Sequence, residues 1–166
     1  MSMGLPQIVV LLVAVQRLAE LAVARRNTAR LMAAGGYEIG AGHYPLFVVL
    51  HGTWLTALLV LVPADAPVSW PLLGLFLALQ LGRLWIIRSL GGRWTTRIIV
   101  CPHAPLVRRG PYRFLRHPNY VLVAAEIAVL PMAFGAWQIA LSFSALNFAL
   151  LAWRIRVEEQ ALAALR

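Results

Sequence analysis

Lysine is absent from this chain of 166 residues; all 15 basic side chains are arginine. The bias is compositional, as in a GC-rich genome, and by itself carries no functional argument. Charge of either sign is scarce. Charged residues make up 13% of the chain, about half the usual share of about 25% for a soluble domain, so a soluble globular domain is excluded. Cys101 is the only cysteine, which excludes an internal disulfide and a thiolate metal cluster. His43 and His103 lack ligand-like spacing and carboxylate partners, so no metal site is expected. The net charge of +9 has no basic stripe on a polar helix to carry it, which argues against nucleic-acid binding. No internal repeat or low-complexity tract is present. The N-terminus has no positive region before its apolar run, and Gln16, Arg17 and Glu20 interrupt that run, so it reads as a first membrane helix, not a leader.

What the chain does have is apolar length. Hydrophobic residues make up 61%, the mean hydropathy is +0.76, and the apolar blocks are long enough to cross a bilayer. We expect an all-α polytopic membrane bundle, residues 1–166 forming one domain, with spans over roughly 5–24, 44–62, 70–88, 120–134 and 137–153. The fourth span is short, and Pro131 with Gly135 should kink or end it, so that spans four and five form a tight C-terminal helical hairpin. Arginines fall in alternate connections: Arg25, Arg26 and Arg30 after the first span, Arg93 to Arg116 after the third, and Arg154, Arg156 and Arg166 in the tail. The positive-inside rule then puts the N-terminus outside and the C-terminus in the cytoplasm. Residues 91–119 are too long for a simple connector, and their aromatic and β-branched content predicts an ordered, irregular or hairpin-like cytoplasmic excursion.

Polar residues inside the spans are costly, so their positions carry information. Arg17, Glu20, His51, Arg83, Glu126 and Asn147 all fall roughly 8–12 Å inside the cytoplasmic boundary, at about 1.5 Å per residue. A bundle can gather them around one cavity. Blander alternatives exist for each: Arg17 and Glu20 pairing on one helix face, Arg83 reaching out to the headgroups, His51 as a hydrogen-bonded core histidine, and Asn147 as an amide joining helices.

The densest charge, four arginines and His117 within residues 108–117, abuts the fourth span. Three elements stand out: "GRWTTRI" (92–98), "GPYRFLRHPNY" (110–120), and Arg154 with Glu158 and Glu159 in "RIRVEEQAL". In this order the pattern resembles the isoprenylcysteine carboxyl methyltransferase family, polytopic enzymes that use S-adenosylmethionine. Residues 38–54, "EIGAGHYPLFVVLHGTW", are similar to its bacterial branch, associated with type III polyketide synthases and methylation of lipid-tailed phenols or pyrones. The resemblance implies an O-methyltransferase at a prokaryotic inner membrane. It also implies Arg116, His117, Pro118, Tyr120, Glu158 and Glu159 on the S-adenosylmethionine side, with Arg154 beside them.

The residue chemistry agrees with that implication. The donor's carboxylate needs a cation or hydrogen-bond donor, and Arg116, His117 and Tyr120 offer these; its ammonium needs an anion, and Glu158 or Glu159 offers one. Pro118 restricts His117 to extended backbone and suits a helix's first turn, whose N-terminus favours an anion. Arg154 and Glu158, four apart, are also compatible with a plain surface ion pair, and Arg108, Arg109 and Arg113 with holding anionic lipid headgroups. Methyl transfer is a displacement in which positioning supplies much of the rate. A carboxylate acceptor needs no base; a phenol or enol gains from one, with His51 and Glu126 as candidates. The acceptor, a lipophilic small molecule, is expected to enter laterally from the bilayer. Two other readings share features of the motif: a phospholipid N-methyltransferase, and an NADPH-dependent sterol-type reductase, for which 166 residues leave little room.

Overall fold

The computed structural model describes residues 3–102 and 107–163, with side chains to residue 160. His103 therefore lies outside the described residues. The elements are α1 (Leu5–Ala33), β1 (Tyr37–Ile39), α2 (Tyr44–Leu61), α3 (Trp70–Leu90), β2 (Ile98–Val100), α4 (Pro118–Ala133) and α5 (Trp137–Ala163). Each of α1 to α4 carries a proline in its first turn: Pro6, Pro45, Pro71 and Pro118. There the missing N–H removes nothing and the fixed φ suits helix entry.

The helices over Leu5–Ala33, Ala41–Leu61, Trp70–Arg93 and Trp137–Gln160 are long and apolar enough to cross a membrane. α4, at 16 residues, is shorter. It spans about 24 Å, less than a hydrocarbon core of about 30 Å. Its setting accounts for this: α4 packs between α3 and α5 and buries Leu122, Val123, Glu126, Ile127 and Leu130. The chain is an integral membrane protein with a helical core element. Pro131 lies in the last turn of α4, and Gly135, at φ +70°, turns the chain into α5. The expected tight hairpin forms there.

The main core joins Val10 and Val13 of α1, Trp54 and Leu58 of α2, Phe76 of α3, and Ile127 and Leu130 of α4. A second cluster near the arginine-rich end gathers Ala24, Ile86, Trp94 and Leu122. At the opposite end, Gln7 Nε2 donates to Val62 O at 2.7 Å and Ser69 N to Ala133 O at 2.8 Å, tying α1 to the end of α2 and α3 to the end of α4.

Two helices run past their apolar spans. α1 continues to Ala33, and Asn27 on that extension donates to Gly91 O and Trp94 O, fixing the start of the long connection. α5 continues to Ala163 and so carries Glu158 beyond the bundle core. The 91–119 connection, expected as an ordered, irregular or hairpin-like excursion, is tied to another connection. β2 pairs antiparallel with β1 from the α1–α2 connection, Glu38 opposite Ile99. A three-residue strand needs a partner for its backbone groups, and the extended Tyr37–Ile39 supplies it, with Arg97 and Glu38 sealing the edge at 2.7 Å.

Candidate functional site

The sequence elements that flank spans four and five meet at one point. Pro118 sets the entry to α4, but His117 is not fully extended: its φ of −126° avoids the helical region as a residue before proline must, while ψ is 60°. The bend turns its carbonyl inward, where it accepts from Tyr120 N at 3.1 Å and Val121 N at 3.3 Å. The Val121 bond is the helix's ordinary first bond, while the Tyr120 bond takes up one of the donors that a helix N-terminus otherwise leaves free.

The side chains then converge. The His117 and Tyr120 rings stack at 5.2 Å. Tyr120 donates its hydroxyl hydrogen to Glu158 Oε2 at 2.6 Å, and His117 Nδ1 lies 3.6 Å from the same oxygen. Arg154, one turn before Glu158 on α5, donates from Nε to Tyr120 Oη at 2.9 Å and from Nη2 to Thr96 O at 2.9 Å. Its guanidinium lies 5.3 Å from the Phe47 ring centre and 5.6 Å from that of Tyr120. The simple Arg154–Glu158 ion pair on a helix surface is replaced by this arrangement: the tyrosine hydroxyl sits between them. Arg154 is 8% exposed and Glu158 is partly exposed. Arg116 and Glu159 are on the surface, away from these contacts.

Gly110, at φ +59°, opens the short turn Gly110–Arg113; a Cβ there would collide with the Ser89 side chain, and only glycine lets the turn press onto α3. Arg109 Nε donates to Ser89 O at 2.7 Å, which holds this contact. Tyr112 is thereby half-buried near Glu158, and desolvation, with that carboxylate second, pushes its phenol up to about 12.

The intramembrane polar residues divide. Arg17, Glu20, Arg83 and Glu126 form one network: Arg17 Nη1 to Glu20 at 2.8 Å, Arg17 Nη2 to Glu126 at 3.0 Å, and Arg83 Nη1 to Glu20 at 3.2 Å. Arg83 also grips Glu126 through Nε and Nη2. Arg83 is 4% exposed and Glu126 2%, so Arg83 does not reach out to headgroups. Gln80 donates to Glu126 at 2.8 Å, and Gln16 to Glu20 and Gln80 at 3.0 Å each. Gln16 was read only as an interruption of the first apolar run and Gln80 was not picked out; Gln16 bonds Glu20 one turn along its own helix, whereas Gln80 finds its carboxylate partner across on α4. His51 lies close enough for Arg17, Arg83 and Glu126 to act on it electrostatically but shares no hydrogen bond with them among the described residues; its Nδ1 is 2.8 Å from Phe47 O, one turn back on α2. A carbonyl only accepts, so Nδ1 carries the proton and, in the neutral ring, Nε2 keeps a free lone pair. Asn147 is buried elsewhere, and its Oδ1 has no hydrogen-bond partner among the described residues. Thr96, whose backbone carbonyl receives Arg154, was also not legible in advance, because a carbonyl leaves no residue signature.

Comparison with known proteins adds to this geometry. Residues 72–164 match the isoprenylcysteine carboxyl methyltransferase (ICMT) family. The chain is 40% identical over 152 residues to the uncharacterized protein YpbQ of Bacillus subtilis (strain 168), covering 89% of this chain and 90% of that protein. No solved structure matches it.

Proposed function

The chain belongs to the isoprenylcysteine carboxyl methyltransferase family, which makes it a membrane methyltransferase, and from that premise we propose that it transfers the methyl group of S-adenosylmethionine to an oxygen of a lipophilic carboxylate, phenol or enol. The observation that carries the reading is the convergence of His117, Tyr120, Arg154 and Glu158 from two distant stretches of chain on one carboxylate oxygen and one hydroxyl.

These residues fit the donor's zwitterionic end. Glu158 is partly exposed and retains acceptor capacity beyond Tyr120, which suits an ammonium or ribose hydroxyl. The Arg154 guanidinium bonds two acceptors among the described residues, out of five N–H groups, and with His117 suits a carboxylate. The buried Oδ1 of Asn119, between Pro118 and Tyr120 in sequence, has no partner among the described residues and suits an amino group. Bound there, S-adenosylmethionine supplies a methyl made electrophilic by its sulfonium. Arg154 and Glu158 orient it, Tyr120 fixes the distance between those two charges, and Pro118 sets the His117 ring. Arg116 and Glu159, exposed and outside these contacts, take no direct part in this reading. On the acceptor side, His51 takes the proton of a phenol or enol through Nε2. Glu126, held by two arginines and Gln80, positions α4 against α1 and α3.

In this reading the arginine-rich end faces the cytoplasm of a prokaryotic cell, with the N-terminus outside the inner membrane. The acceptor reaches the site from the bilayer. The test is titration of purified protein in detergent with S-adenosylhomocysteine and with NADPH. Saturable binding of the first, lost in His117→Ala, is the expected result; tight NADPH binding without nucleoside binding would replace the reading with a reductase.

A further inference from the structure

We propose that residues 113–116, Arg-Phe-Leu-Arg, form an interfacial anchor: Phe114 and Leu115 dip into the edge of the bilayer while Arg113 and Arg116 bind headgroups of anionic phospholipid. These four are the part of "GPYRFLRHPNY" that the candidate site leaves unused, and all four are exposed. Phe114 is 77% exposed and Leu115 48%, an apolar pair that no protein surface covers, bracketed by two cations. Apolar side chains between arginines suit the layer where lipid tails meet headgroups.

The level of this turn follows from two helix lengths. α3 has 21 residues and α4 has 16, which at about 1.5 Å per residue makes about 31 Å and about 24 Å. Ser69 N, at the start of α3, donates to Ala133 O, at the end of α4, so the two helices share one level at the end away from the arginines. At the other end α4 stops about 7 Å short of α3. The residues that lead into α4 therefore stand beside the last turns of a membrane-crossing helix, not beyond them. The contacts agree. A Cβ on Gly110 would meet the Ser89 side chain and lie 3.2 Å from Trp85 Nε1, and Trp85 is itself exposed, as tryptophans at the lipid–water boundary are. Phe114 N and Leu115 N both donate to Pro111 O at 3.1 Å, which holds the apolar pair on a turn already fixed to α3.

The charges select the lipid. Arg109, expected at the headgroups with Arg108 and Arg113, instead donates inward to Ser89 O and clamps the turn. Arg113 and Arg116 have no carboxylate partner among the described residues: Glu20 and Glu126 are held by Arg17 and Arg83, Glu38 by Arg97, and Glu158 lies with Tyr120 and His117. Arg88, one turn from Trp85 on α3, is exposed as well. A zwitterionic headgroup brings its own cation to this cluster, whereas an anionic one neutralises it and offers phosphate oxygens to the guanidinium forks. The anchor requires only that the chain crosses a membrane and does not rest on methyl transfer. Arg116 runs directly into His117, so the anchor sets the height of the His117–Glu158 cluster relative to the bilayer surface.

The experiment places a fluorinated phenylalanine in place of Phe114 in the full chain, in phosphatidylcholine nanodiscs, and reads fluorine NMR relaxation. Separate samples carry a small share of nitroxide-labelled phosphatidylglycerol, the same share of nitroxide-labelled phosphatidylcholine, or a gadolinium chelate in the water. The expected result is relaxation by the lipid-borne nitroxides and shielding from the chelate. Labelled phosphatidylglycerol should act about fivefold more strongly than labelled phosphatidylcholine, the factor that one arginine near an anionic surface contributes. Arg113→Gln combined with Arg116→Gln should abolish that preference, whereas Arg30→Gln, on the exposed extension of α1, removes a charge elsewhere and should leave it intact. Relaxation by the chelate would place the turn in water, and relaxation by neither probe would show that protein covers it. Equal relaxation by the two lipids would remove the anionic preference. A preference that survives the double substitution, or that falls as far in Arg30→Gln, would belong to the diffuse charge of the arginine-rich end. Each of these four results overturns the proposal.

Discussion

Glu126, on α4, and Glu158, whose close partner Tyr120 is on α4, each lie near an arginine, yet their surroundings differ in kind. Glu126 is 2% exposed and surrounded by Arg17, Arg83 and Gln80, which together donate to both of its oxygens. Its network balances two arginines against two glutamates and ties three helices. Glu158 sits on the part of α5 that outruns the bundle, partly exposed, with a tyrosine hydroxyl as its close partner and a histidine at 3.6 Å. A saturated carboxylate in the low-dielectric interior holds the fold, because any lost partner leaves a bare charge. An unsaturated one at the boundary keeps lone pairs for a ligand. The two regions share residue types and differ in how far their carboxylates are saturated.

The largest effect should come from opening the saturated network. Glu126→Ala leaves the buried Arg83 with Glu20 alone, at 3.2 Å, and its Nε and Nη2 without their partner; it should lower stability by about 3–5 kcal/mol, read as a fall in the thermal midpoint in detergent. A shift indistinguishable from zero would break the comparison. The next effect belongs to the unsaturated site. Glu158→Gln should weaken S-adenosylhomocysteine about 10- to 100-fold, as expected for a charged hydrogen bond of about 1.5–3 kcal/mol, with the thermal midpoint nearly unchanged. Its exposed neighbour supplies the control: Glu159→Gln should move neither quantity, and an equal loss of binding there would show that charge near the tail, not the Glu158 geometry, carries recognition.

The smallest effect sharpens the boundary between the regions. Burial pushes the Tyr112 phenol, ordinarily near 10, up to about 12, so the folded state favours its protonated form. That contribution is complete below about pH 10 and is lost as pH rises toward about 12. Tyr112→Phe should therefore flatten the alkaline fall in stability over that window and leave the profile below it unchanged, as followed by unfolding at a series of pH values.

How much was readable in advance depended on the kind of interaction. The apolar spans and the end of α4 at Pro131 and Gly135 were legible because burial and backbone geometry are written in local residue type. Intramembrane Arg17, Glu20, Arg83 and Glu126 stood out because each is expensive alone. Their actual pairings, and the help of Gln16 and Gln80, were not legible, since a depth along one helix says nothing about which face meets which neighbour. The same limit hid the β1–β2 pairing, where Tyr37–Ile39 meets Ile98–Val100 across about 60 residues. It also hid the choice between adjacent Glu158 and Glu159, which one helical step of about 100° sends to different sides.

The amino-acid sequence alone determined that this chain lives in a membrane as helices and to which family it belongs, because hydropathy and motif order are properties of the linear chain. Only the tertiary structure decided which carboxylate closes a network and which stays open, because that depends on helix rotation and packing, and these are fixed by contacts among all the helices together.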